Sequence, residues 1–406
     1  MKQTELALAL IAASTAIALP AVAADSLTEA IQAGKAGLDF RLRYEDVDQA
    51  NKDDTNAFTL RSRLNYKTGD FNGFTAFGEV DNTTAIGNDE YNTAPNDNTY
   101  PDKAVIADPE ITQVNQLWLN YHVADSDFKY GRQRINLDNQ RHVGGVGFRQ
   151  NEQTYDGFTA STDALENFKL SYSYVYRVHR IFSEDNPIST HNVQTNLLNA
   201  AYSGWSLGKL TAYYYGIEND NVRKFSTTTA GLRFAGSTGD ETKFTYALEF
   251  AQQSDAKNNT RDYKANYYLA EAGVNFQPVT LKVGYEVLGA DGENGEFITS
   301  LATLHKFQGW TDKFLNLGAG NITGGIKDAY GVIGGTVSGV KLSAVYHQFK
   351  SDDSSASEIG KLGSEWGISI GRKFDNYGLS LKYADYKADD FSVDTKKLWL
   401  TATAKF

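Results

Sequence analysis

Most of the chain alternates between apolar and polar residues with a period of two. In the final stretch, 395–406, Leu398, Leu400 and Phe406 fall on one face of an extended strand, whereas Lys397 falls on the other. Such alternation predicts strands with one apolar face. About ten tilted residues of this kind are sufficient to cross the hydrocarbon core of a bilayer. The pattern therefore predicts either an ordinary sheet or a membrane barrel, and the rest of the chain decides between them.

The same alternation defines about eighteen segments, with no helical periodicity of useful length between them. Sixteen strands is the alternative if the two weaker segments, 153–161 and 209–218, are over-divided. The predicted strands are 37–46, 56–67, 71–82, 111–123, 128–135, 153–161, 168–181, 191–203, 209–218, 226–235, 242–253, 263–276, 279–288, 324–337, 341–349, 362–374, 379–386 and 395–406.

The connections between these segments alternate in length. Every second one is a short turn, as at 68–70 and 375–378, and the others are long and polar. The long connections are 83–110, 136–152, 182–190, 254–262, 289–323 and 350–361. Short periplasmic turns and long extracellular loops are typical of outer-membrane barrels. The last strand also resembles the closing strand of such barrels, which implies that Phe406 contacts the barrel-assembly machinery.

The polar faces of these strands carry Arg, Lys, Asp and Glu on one strand after another. A soluble barrel fills its interior with aliphatic side chains, and burying this many charges in a dry core would cost too much free energy. The charged faces are therefore expected to line water, and the apolar faces to contact lipid. The sequence predicts an all-β, transmembrane, antiparallel up-and-down barrel with an aqueous channel, in contact with outer-membrane lipid and lipopolysaccharide.

Composition narrows the classes of function. The 406 residues include 24 Tyr, 22 Phe and 36 Gly, which suits many strands joined by turns. A hydrophobic content of 41% and a mean hydropathy of -0.45 argue against a helical membrane protein. The absence of Cys excludes disulfides and thiolate chemistry. A net charge of -11 argues against a nucleic-acid partner.

The chain is expected to have three parts. Residues 1–24 combine Lys2, an apolar run and a small-residue cleavage pattern, and they predict a signal peptide for export. Residues 25–36 are expected to form a short periplasmic segment, with the Ser-x-x-Glu spacing of a helical capping box at Ser26. Residues 37–406 are expected to form the barrel in the bacterial outer membrane.

Arginine is concentrated in the first half of the barrel, since ten of the 14 arginines lie between Arg41 and Arg180. Clustered guanidinium groups on the channel wall would give a local positive potential suited to carboxylates. The alternative is a ladder of Arg–carboxylate pairs that only braces the barrel, and a mixture of both roles is expected. The arginines predicted to contact solute in the lumen are Arg41, Arg43, Arg61, Arg63, Arg132, Arg134, Arg149 and Arg177.

Two long connections are candidates for narrowing the channel. Gly144, Gly145 and Gly147 do not form a phosphate loop, because no Lys-Ser/Thr pair and no helix follow them. They are expected to let the 136–152 connection turn sharply into the lumen as a constriction. The connection 289–323 is expected to be an ordinary surface loop, with a short amphipathic turn packed inside the mouth as the alternative.

No enzymatic site is predicted. None of the six histidines lies in a metal-binding spacing or near a Gly-x-Ser-x-Gly elbow. We therefore expect no catalytic residue, no metal and no cofactor.

A family resemblance is carried by three neighbouring segments: 128–135 with its Gly-Arg-Gln-Arg core, 138–141, and 144–151. Together with the opening strand they resemble the alginate-export-type family of outer-membrane proteins, most clearly over 37–160. The resemblance implies an eighteen-stranded barrel with an Arg-rich, electropositive lumen that passes an anionic polysaccharide.

The resulting hypothesis is a porin for passive passage of small, anionic or carbohydrate solutes. Two alternatives are kept. One is a structural or adhesion barrel sealed by its loops, and the other is a soluble, secreted all-β carbohydrate-binding protein.

Overall fold

The computed structural model describes residues 26–315 and 322–406. The predicted signal peptide, 1–24, lies outside these described residues. Within them, no helix has both the length and the apolar character needed to cross a membrane.

Eighteen strands, two short α-helices and two 3-10 turns make up the regular structure of the described residues. The helices are α1 Leu27–Gln32 and α2 Ser354–Ser357, and the 3-10 turns are Arg223–Phe225 and Leu304–Lys306. The strands are β1 Lys35–Gln49, β2 Thr55–Lys67, β3 Phe74–Ala85, β4 Ile111–Val123, β5 Ser126–Gln133, β6 Thr154–Thr162, β7 Phe168–His179, β8 Thr190–Trp205, β9 Gly208–Asn219, β10 Thr227–Thr238, β11 Lys243–Asp255, β12 Lys264–Phe276, β13 Val279–Leu288, β14 Ile326–Val337, β15 Val340–Lys350, β16 Lys361–Phe374, β17 Tyr377–Lys387 and β18 Thr395–Lys405.

The strands close into one antiparallel barrel. Each strand pairs with its neighbours in sequence, and β1 pairs with both β2 and β18. At the seam, Leu38 and Phe406 exchange two backbone hydrogen bonds of 2.9 Å. The up-and-down barrel of eighteen strands is confirmed, and both of the weaker sequence segments form strands (β6 and β9). Closure leaves no sheet edge unpaired, which a barrel in lipid requires.

The two ends of the barrel differ as the connection lengths predict. At one end, two-residue turns such as Ala124–Asp125 and Ser338–Gly339 join the strands, and both residues of each have positive φ, which suits tight hairpins. This end faces the periplasm in outer-membrane barrels. The predicted N-terminal helix, α1, lies here and is capped by the Ser26 hydroxyl, which accepts a hydrogen bond from the Glu29 amide at 3.2 Å.

The outer wall is apolar and the inner wall carries charges, as predicted. Leu117 is 61% exposed, whereas Arg43 and Glu45 are 4% and 1% exposed. The large apolar side chains exposed on the outside include Leu64, Leu119, Tyr130, Leu232, Leu248, Val283, Ile333, Leu342, Leu379 and Leu400. An apolar band of this kind is stable only against lipid tails.

The inside of the barrel is not uniformly polar, which the strand pattern did not predict. Tyr155, Tyr267 and Phe349 point inward and are fully buried, together with Phe297 and Leu301. These residues form one apolar cluster because two long connections enter the barrel and pack against its wall. The cluster buries apolar surface that a water-filled tube would expose, and so it stabilises the loops inside the barrel.

One of these connections was assigned wrongly. The segment 289–323 was expected to lie on the surface, but Phe297, Ile298, Leu301 and Phe314 are at most 6% exposed inside the barrel. The alternative prediction, a segment packed inside the mouth, fits the part of this connection that the structure describes.

Candidate channel and its constriction

The connection 134–153 crosses the lumen. Arg149 Nη1 lies 2.8 Å from Glu45 Oε2 on β1, and His142 Nε2 lies 3.0 Å from Glu249 Oε1 on β11. Since β1 and β11 lie on opposite sides of the eighteen-strand ring, the connection spans the channel. The predicted entry of 136–152 into the lumen is thus present in the structure.

A buried ion pair holds the middle of this connection. Arg141 is 1% exposed, and its Nε lies 2.7 Å from Glu286 Oε1 on β13. Tyr267 donates its hydroxyl to the same oxygen at 2.8 Å. Removing one member of such a pair leaves an uncompensated buried charge, so this contact fixes where the connection crosses the lumen.

The second connection, 289–315, pairs with the first. The Gly144 amide donates to the Leu301 carbonyl at 2.8 Å, and the Gln153 side-chain amide donates to the same carbonyl at 3.1 Å. Val143 and Leu301 also form an isolated parallel bridge. The two connections therefore form one layer across the barrel, which we call the constriction layer.

Glu365 on β16 fastens this layer to the wall. Its carboxylate accepts the backbone amides of Trp310 and Thr311, the latter at 3.0 Å, and the Thr311 hydroxyl at 2.5 Å. Gly309 precedes these donors with φ +86°, and a Cβ there would lie 2.5 Å from the carboxylate. A glycine is needed at this point because the loop turns so close to the Glu365 side chain.

Of the three glycines predicted to shape the constriction, Gly144 is the tightest. A Cβ at Gly144 would lie 2.2 Å from Thr303 Oγ1 and 2.7 Å from Gln140 Cβ, whereas a Cβ at Gly147 would meet nothing within 4 Å. A Cβ at Gly145 would make only ordinary contacts, the nearest at 3.4 Å. Close approach of the two connections therefore requires glycine at position 144.

Replacing Gly144 by Ala is expected to push the two connections apart, because Thr303 and Gln140 lie where the new methyl group must go. Overpacking of this kind costs about 1–3 kcal/mol. Thermal unfolding followed by heat-modifiable gel migration should show a lower midpoint for Gly144→Ala. Gly147→Ala is the matched control and should keep the midpoint of the original protein. Equal midpoints for the two variants would contradict the tight contact.

Four of the predicted lumen arginines lie together on β1 and β2. Arg41 is directly opposite Arg61 in the strand register, and Asp39 is opposite Arg63. Arg61 pairs with the Asp39 carboxylate, and Arg63 Nη2 lies 3.2 Å from Asp81 Oδ2. Both arginines are at most 8% exposed. Within this group, the pairs brace the wall, as the alternative interpretation of the arginines proposed.

Arg43 and Arg41 bind the constriction layer. Arg43 Nη1 lies 3.5 Å from Asp108 Oδ2, and its guanidinium lies 4.4 Å from the centre of the Phe148 ring. Arg41 instead donates to the carbonyls of Gly147, Phe148 and Arg149 at 3.0–3.1 Å. Within the described residues no carboxylate lies within 4 Å of Arg41. The arginine at position 41 therefore holds the turn of the constriction by its backbone.

Arg134 belongs to a network beside this turn. Its Nη2 lies 2.6 Å from Glu79 Oε1, and the same guanidinium pairs with Glu152. Arg63 Nη2 also lies 3.1 Å from Glu152 Oε1. Counting Asp81, which also pairs with Arg63, two arginines face three carboxylates on the inner wall, so this group leaves no excess of positive charge for a solute.

Arg149 is the most heavily engaged of the predicted arginines. Besides Glu45, its Nη2 lies 2.8 Å from Asp312 Oδ2, and Lys397 Nζ lies 3.2 Å from the same oxygen. Burial by itself would lower the pKa of Arg149, but the nearby carboxylates, led by Glu45, raise it. Arg149 thereby joins the constriction layer to β1 and to the 289–315 connection at once.

His305 belongs to the same layer, in the 289–315 connection. Its ring stacks on Phe148 at 3.6 Å, its Nδ1 lies 2.6 Å from Asp312 Oδ1, and its Nε2 lies 2.8 Å from Lys382 Nζ. Burial lowers the pKa of His305 to about 3, although Asp312 opposes this shift. The ring is therefore neutral near pH 7, donating through Nδ1 and accepting at Nε2.

Arg132 does not line the lumen, contrary to the sequence prediction. It lies on the same face of β5 as the exposed Phe128 and Tyr130, and it lies opposite Leu117, which is 61% exposed on the outer wall. Residues opposite one another in an antiparallel pair share a face. The Gly-Arg-Gln-Arg segment therefore places Arg132 outside, whereas Arg134, one residue after β5 ends, turns inward.

Arg177 is also on the outside. The register of β7 shifts between Val175 and Arg177, next to this residue. The shift is present both in the pairing with β6 and in the pairing with β8. Because of this bulge, Val175 and Val178 are both buried inside the barrel, and Arg177 is exposed. The strict alternation that predicted Arg177 inward and Val178 outward is broken at this point.

A cavity of about 510 Å³ lies at the extracellular mouth, above the constriction layer. We call it the vestibule. It is bounded by the ends of β1 and β18, the 83–110 connection and the 289–315 connection. Six cationic residues line it, against two carboxylates, Asp97 and Asp312. The cationic residues are Lys52, Lys103, Arg149, Arg180, Lys313 and Lys397.

Arg180 differs from the other cations of the vestibule. It is 8% exposed, and its guanidinium makes no hydrogen bond or ion pair with any residue of 26–315 or 322–406. Burial lowers its pKa to about 10, so it remains protonated near pH 7. A buried, charged and unpaired guanidinium is costly unless a solute anion pairs with it. The residues predicted from the sequence to contact solute do not include Arg180, although it belongs to the arginine-rich half of the sequence.

Lys313 also lines the vestibule. Its Nζ lies 3.3 Å from Gln49 Oε1. Burial, assisted by the positive charge of Lys397, lowers the pKa of Lys313 to about 8. The charge of this lysine therefore changes in a range just above neutral pH.

A smaller cavity of about 270 Å³ lies against β12–β15 and contacts Asn139 and Lys306 of the constriction layer. Lys282 pairs with Glu271 there at 2.6 Å, and Glu286 and Asp328 also line it. Two lysines, Lys282 and Lys306, thus face three carboxylates in this cavity. The excess of cations is thus a property of the vestibule rather than of the whole lumen.

Within residues 26–315 and 322–406, no group of three His, Asp or Glu side chains is arranged to hold a metal ion.

Comparison with known proteins connects this geometry to a family. No curated protein sequence matches the chain. The chain is similar in structure to OpdO of Pseudomonas aeruginosa, with a TM-score of 0.72, 14% identity, and coverage of 93% of this chain and 98% of that one. It is also similar to OccK5 (OpdH) of the same organism, with a TM-score of 0.70, 12% identity, and coverage of 93% and 99%.

A further similar structure is Pseudomonas aeruginosa OpdK with vanillate, with a TM-score of 0.70, 13% identity, and coverage of 93% of this chain and 99% of that chain. These neighbours show the fold, an eighteen-stranded barrel of the outer-membrane porin type. The sequence itself matches the model of the alginate export family over residues 34–306. The chain therefore belongs to the alginate export family and is a β-barrel porin of the bacterial outer membrane.

Proposed function

We propose that this porin passes small anionic solutes, carboxylates in particular, and that the vestibule selects them. The observation that carries the proposal is Arg180, a guanidinium that is 8% exposed and has no partner among the described residues. A carboxylate entering the vestibule would supply the charge-assisted, bidentate hydrogen bonds that this side chain lacks.

The surrounding charges favour the same class of solute. Asp312 is already shared by Arg149, Lys397 and His305, and it therefore has little capacity left for a solute cation. An excess of cations in a cavity with low-dielectric walls raises the local concentration of anions. The other predicted arginines, such as Arg61 and Arg63, contribute to the selection of anions only indirectly, because their ion pairs hold the wall and the constriction layer in place.

The comparisons are consistent with a carboxylate. The description of the family is alginate export, and alginate is a polymer of uronic acids. A solved neighbour, OpdK, is described with vanillate, a small aromatic carboxylate. We infer a solute of this chemical class for the present chain, small enough to pass the constriction layer.

The proposal is tested by liposome swelling with solutes of equal size. Liposomes containing the porin should swell at least a few times faster in sodium glucuronate than in glucose, after correction for the counter-ion with sodium chloride. Glucose entering as fast as or faster than glucuronate would contradict selection of anions. Swelling in neither sugar, with ion current retained, would limit passage to smaller anions.

The vestibule should lose selectivity as the pH rises. The pKa of Lys313 is lowered to about 8, so its positive charge is present below this pH and is lost above it. Preference for anions, measured as a reversal potential, should therefore decline between about pH 7 and pH 9. The Lys313→Arg variant keeps its charge and should show a flat profile over this range. Identical profiles for the two proteins would rule out Lys313 as the titrating group.

A sealed structural barrel is the second candidate. It is favoured by the apolar cluster inside the barrel, in which Tyr267 and Phe297 are fully buried. Single-channel recording separates the two candidates, because a sealed barrel would give no current. The other alternative considered from the sequence, a soluble secreted protein, is wrong, because the chain is an outer-membrane protein.

A further inference from the structure

Four ionisable residues form a cluster on the outer wall of the barrel, on the side away from the channel. They are Arg132 on β5, Asp156 on β6, and Arg177 and His179 on β7, and we call them the outer arginine cluster. Arg132 lies opposite Asp156 in the strand register, and Asp156 lies opposite Arg177. The cluster therefore forms a row across three neighbouring strands.

The row lies near the extracellular ends of its strands. Arg132 is one residue before the end of β5, and His179 is the last residue of β7. Tyr130, 60% exposed, and Tyr176, 39% exposed, accompany it on the outer wall. Tyrosines mark the level of the headgroups at the surface of a membrane. The outer arginine cluster thus lies where the polar headgroups of outer-leaflet lipids are found.

Within the cluster, one carboxylate is shared and one guanidinium is left over. Arg132 Nε lies 2.9 Å from Asp156 Oδ1, and Arg132 Nη1 donates to the Val114 carbonyl at 2.8 Å. His179 Nε2 lies 2.8 Å from the other oxygen of Asp156. Arg177 is exposed, and no carboxylate of the described residues lies within 4 Å of it. Two arginines against one aspartate leave a net positive charge on a surface that faces lipid.

An apolar groove of about 510 Å³ lies on the same outer wall, towards the periplasmic end of β5–β9. Ala160, Ala200 and Ala212 are small residues in it, and larger side chains such as Phe128 and Tyr214 flank them. Phe128 is four residues from Arg132 along β5, roughly 13 Å at about 3.3 Å per residue. The distance between the outer arginine cluster and the apolar groove is therefore short enough for one acyl chain to extend from a headgroup at the cluster into the groove.

We propose that the outer arginine cluster and the groove together bind one phosphate-bearing glycolipid of the outer leaflet. The phosphate pairs with Arg177 and with the free edge of Arg132, since guanidinium groups are suited to bidentate phosphate contacts. An acyl chain lies over the alanines of the groove. The proposal concerns the lipid-facing surface and does not depend on which solute passes the channel.

The experiment uses delipidated full-length barrel in detergent, with lipid A carrying both phosphates as the probe. Native mass spectrometry counts bound lipid per barrel. One lipid A per barrel should be retained, and fully dephosphorylated lipid A should bind about tenfold more weakly. Arg177→Gln should weaken binding of lipid A by about tenfold, the loss typical of one charge-assisted contact. Arg177 has no ion pair within the described barrel, so this variant keeps the Asp156 network.

Arg372→Gln is the matched control. Arg372 is another exposed arginine of the outer wall, opposite Leu379, but it lies near the periplasmic end of β16. Its variant should bind lipid A as the original protein does. Heat-modifiable gel migration verifies that each variant is folded.

Three results would overturn the proposal. The first is equal binding of lipid A by Arg177→Gln and by the original protein. The second is complete displacement of lipid A by millimolar inorganic phosphate, which would indicate a site for the free anion. The third is a barrel–barrel complex that requires Arg177, which would assign this surface to a second copy of the chain.

Discussion

The Arg149→Ala variant is expected to show several-fold higher single-channel conductance and a strongly lowered unfolding midpoint. Arg149 joins Glu45 on β1 to Asp312 in the other connection, with both contacts at 2.8 Å. Its removal leaves the buried Glu45 carboxylate without its cationic partner, which costs about 3–5 kcal/mol. The constriction layer then loses its ion pair to β1 and keeps the weaker contacts of Arg41 with its backbone, so it should move away from the centre of the lumen.

Two further variants separate this cause from general damage. Adding Glu45→Gln to Arg149→Ala should recover part of the stability, because no uncompensated carboxylate remains, but the conductance should stay high. Arg372→Ala, on the outer wall, should change neither quantity. Unchanged conductance in a folded Arg149→Ala barrel would show that the layer is held without this residue.

The Arg180→Glu variant is expected to reverse the preference of the vestibule. A negative charge replaces the Arg180 guanidinium, which has no partner among the described residues, so a carboxylate meets repulsion where it met attraction. Block of the ion current by glucuronate should weaken by at least about tenfold, equivalent to ~1.4 kcal/mol. The Arg180→Gln variant should show an intermediate loss, since it removes the positive charge without adding a negative one.

The control for this experiment is Arg372→Glu, which makes the same chemical change on the lipid-facing wall. It should leave the glucuronate block unchanged. If Arg180→Glu also leaves the block unchanged, the solute does not contact Arg180, and the proposed role of the vestibule is wrong.

The strands could be predicted from the sequence because their rule is local. Successive side chains of a regular strand alternate between lipid and lumen, and β4 and β13 were predicted with the bounds that the structure shows, Ile111–Val123 and Val279–Leu288. The alternation of short and long connections likewise predicted which end of the barrel is periplasmic and which is extracellular. The free-energy cost of burying many charges predicted that the charged faces line the lumen and the apolar faces contact lipid.

The register irregularities could not be predicted from that rule. Nothing in Tyr174–His179 marks the bulge that places Arg177 outside and Val178 inside. At β5, the Gly-Arg-Gln-Arg segment contains two arginines of the same parity, but the strand ends between them. Arg132 therefore stays on the outer wall, and Arg134 turns inward to Glu79 and Glu152.

The contents of the lumen also depend on contacts that are distant in sequence. The layer is built from pairs such as Gly144 with Leu301 and Arg141 with Glu286. Such pairs cannot be recognised before the barrel brings them together. Arg180 was missed for the same reason, because only the folded structure shows that it is buried beside a cavity and has no partner there.

We expect an open channel to cross this barrel and to favour anions at its mouth. Single-channel recording of the unmodified protein across a salt gradient at about pH 7 measures both properties at once. We expect a stable open current whose reversal potential has the sign of anion preference. No current in folded barrels, or a reversal potential with the sign of strong cation preference, would contradict the claim.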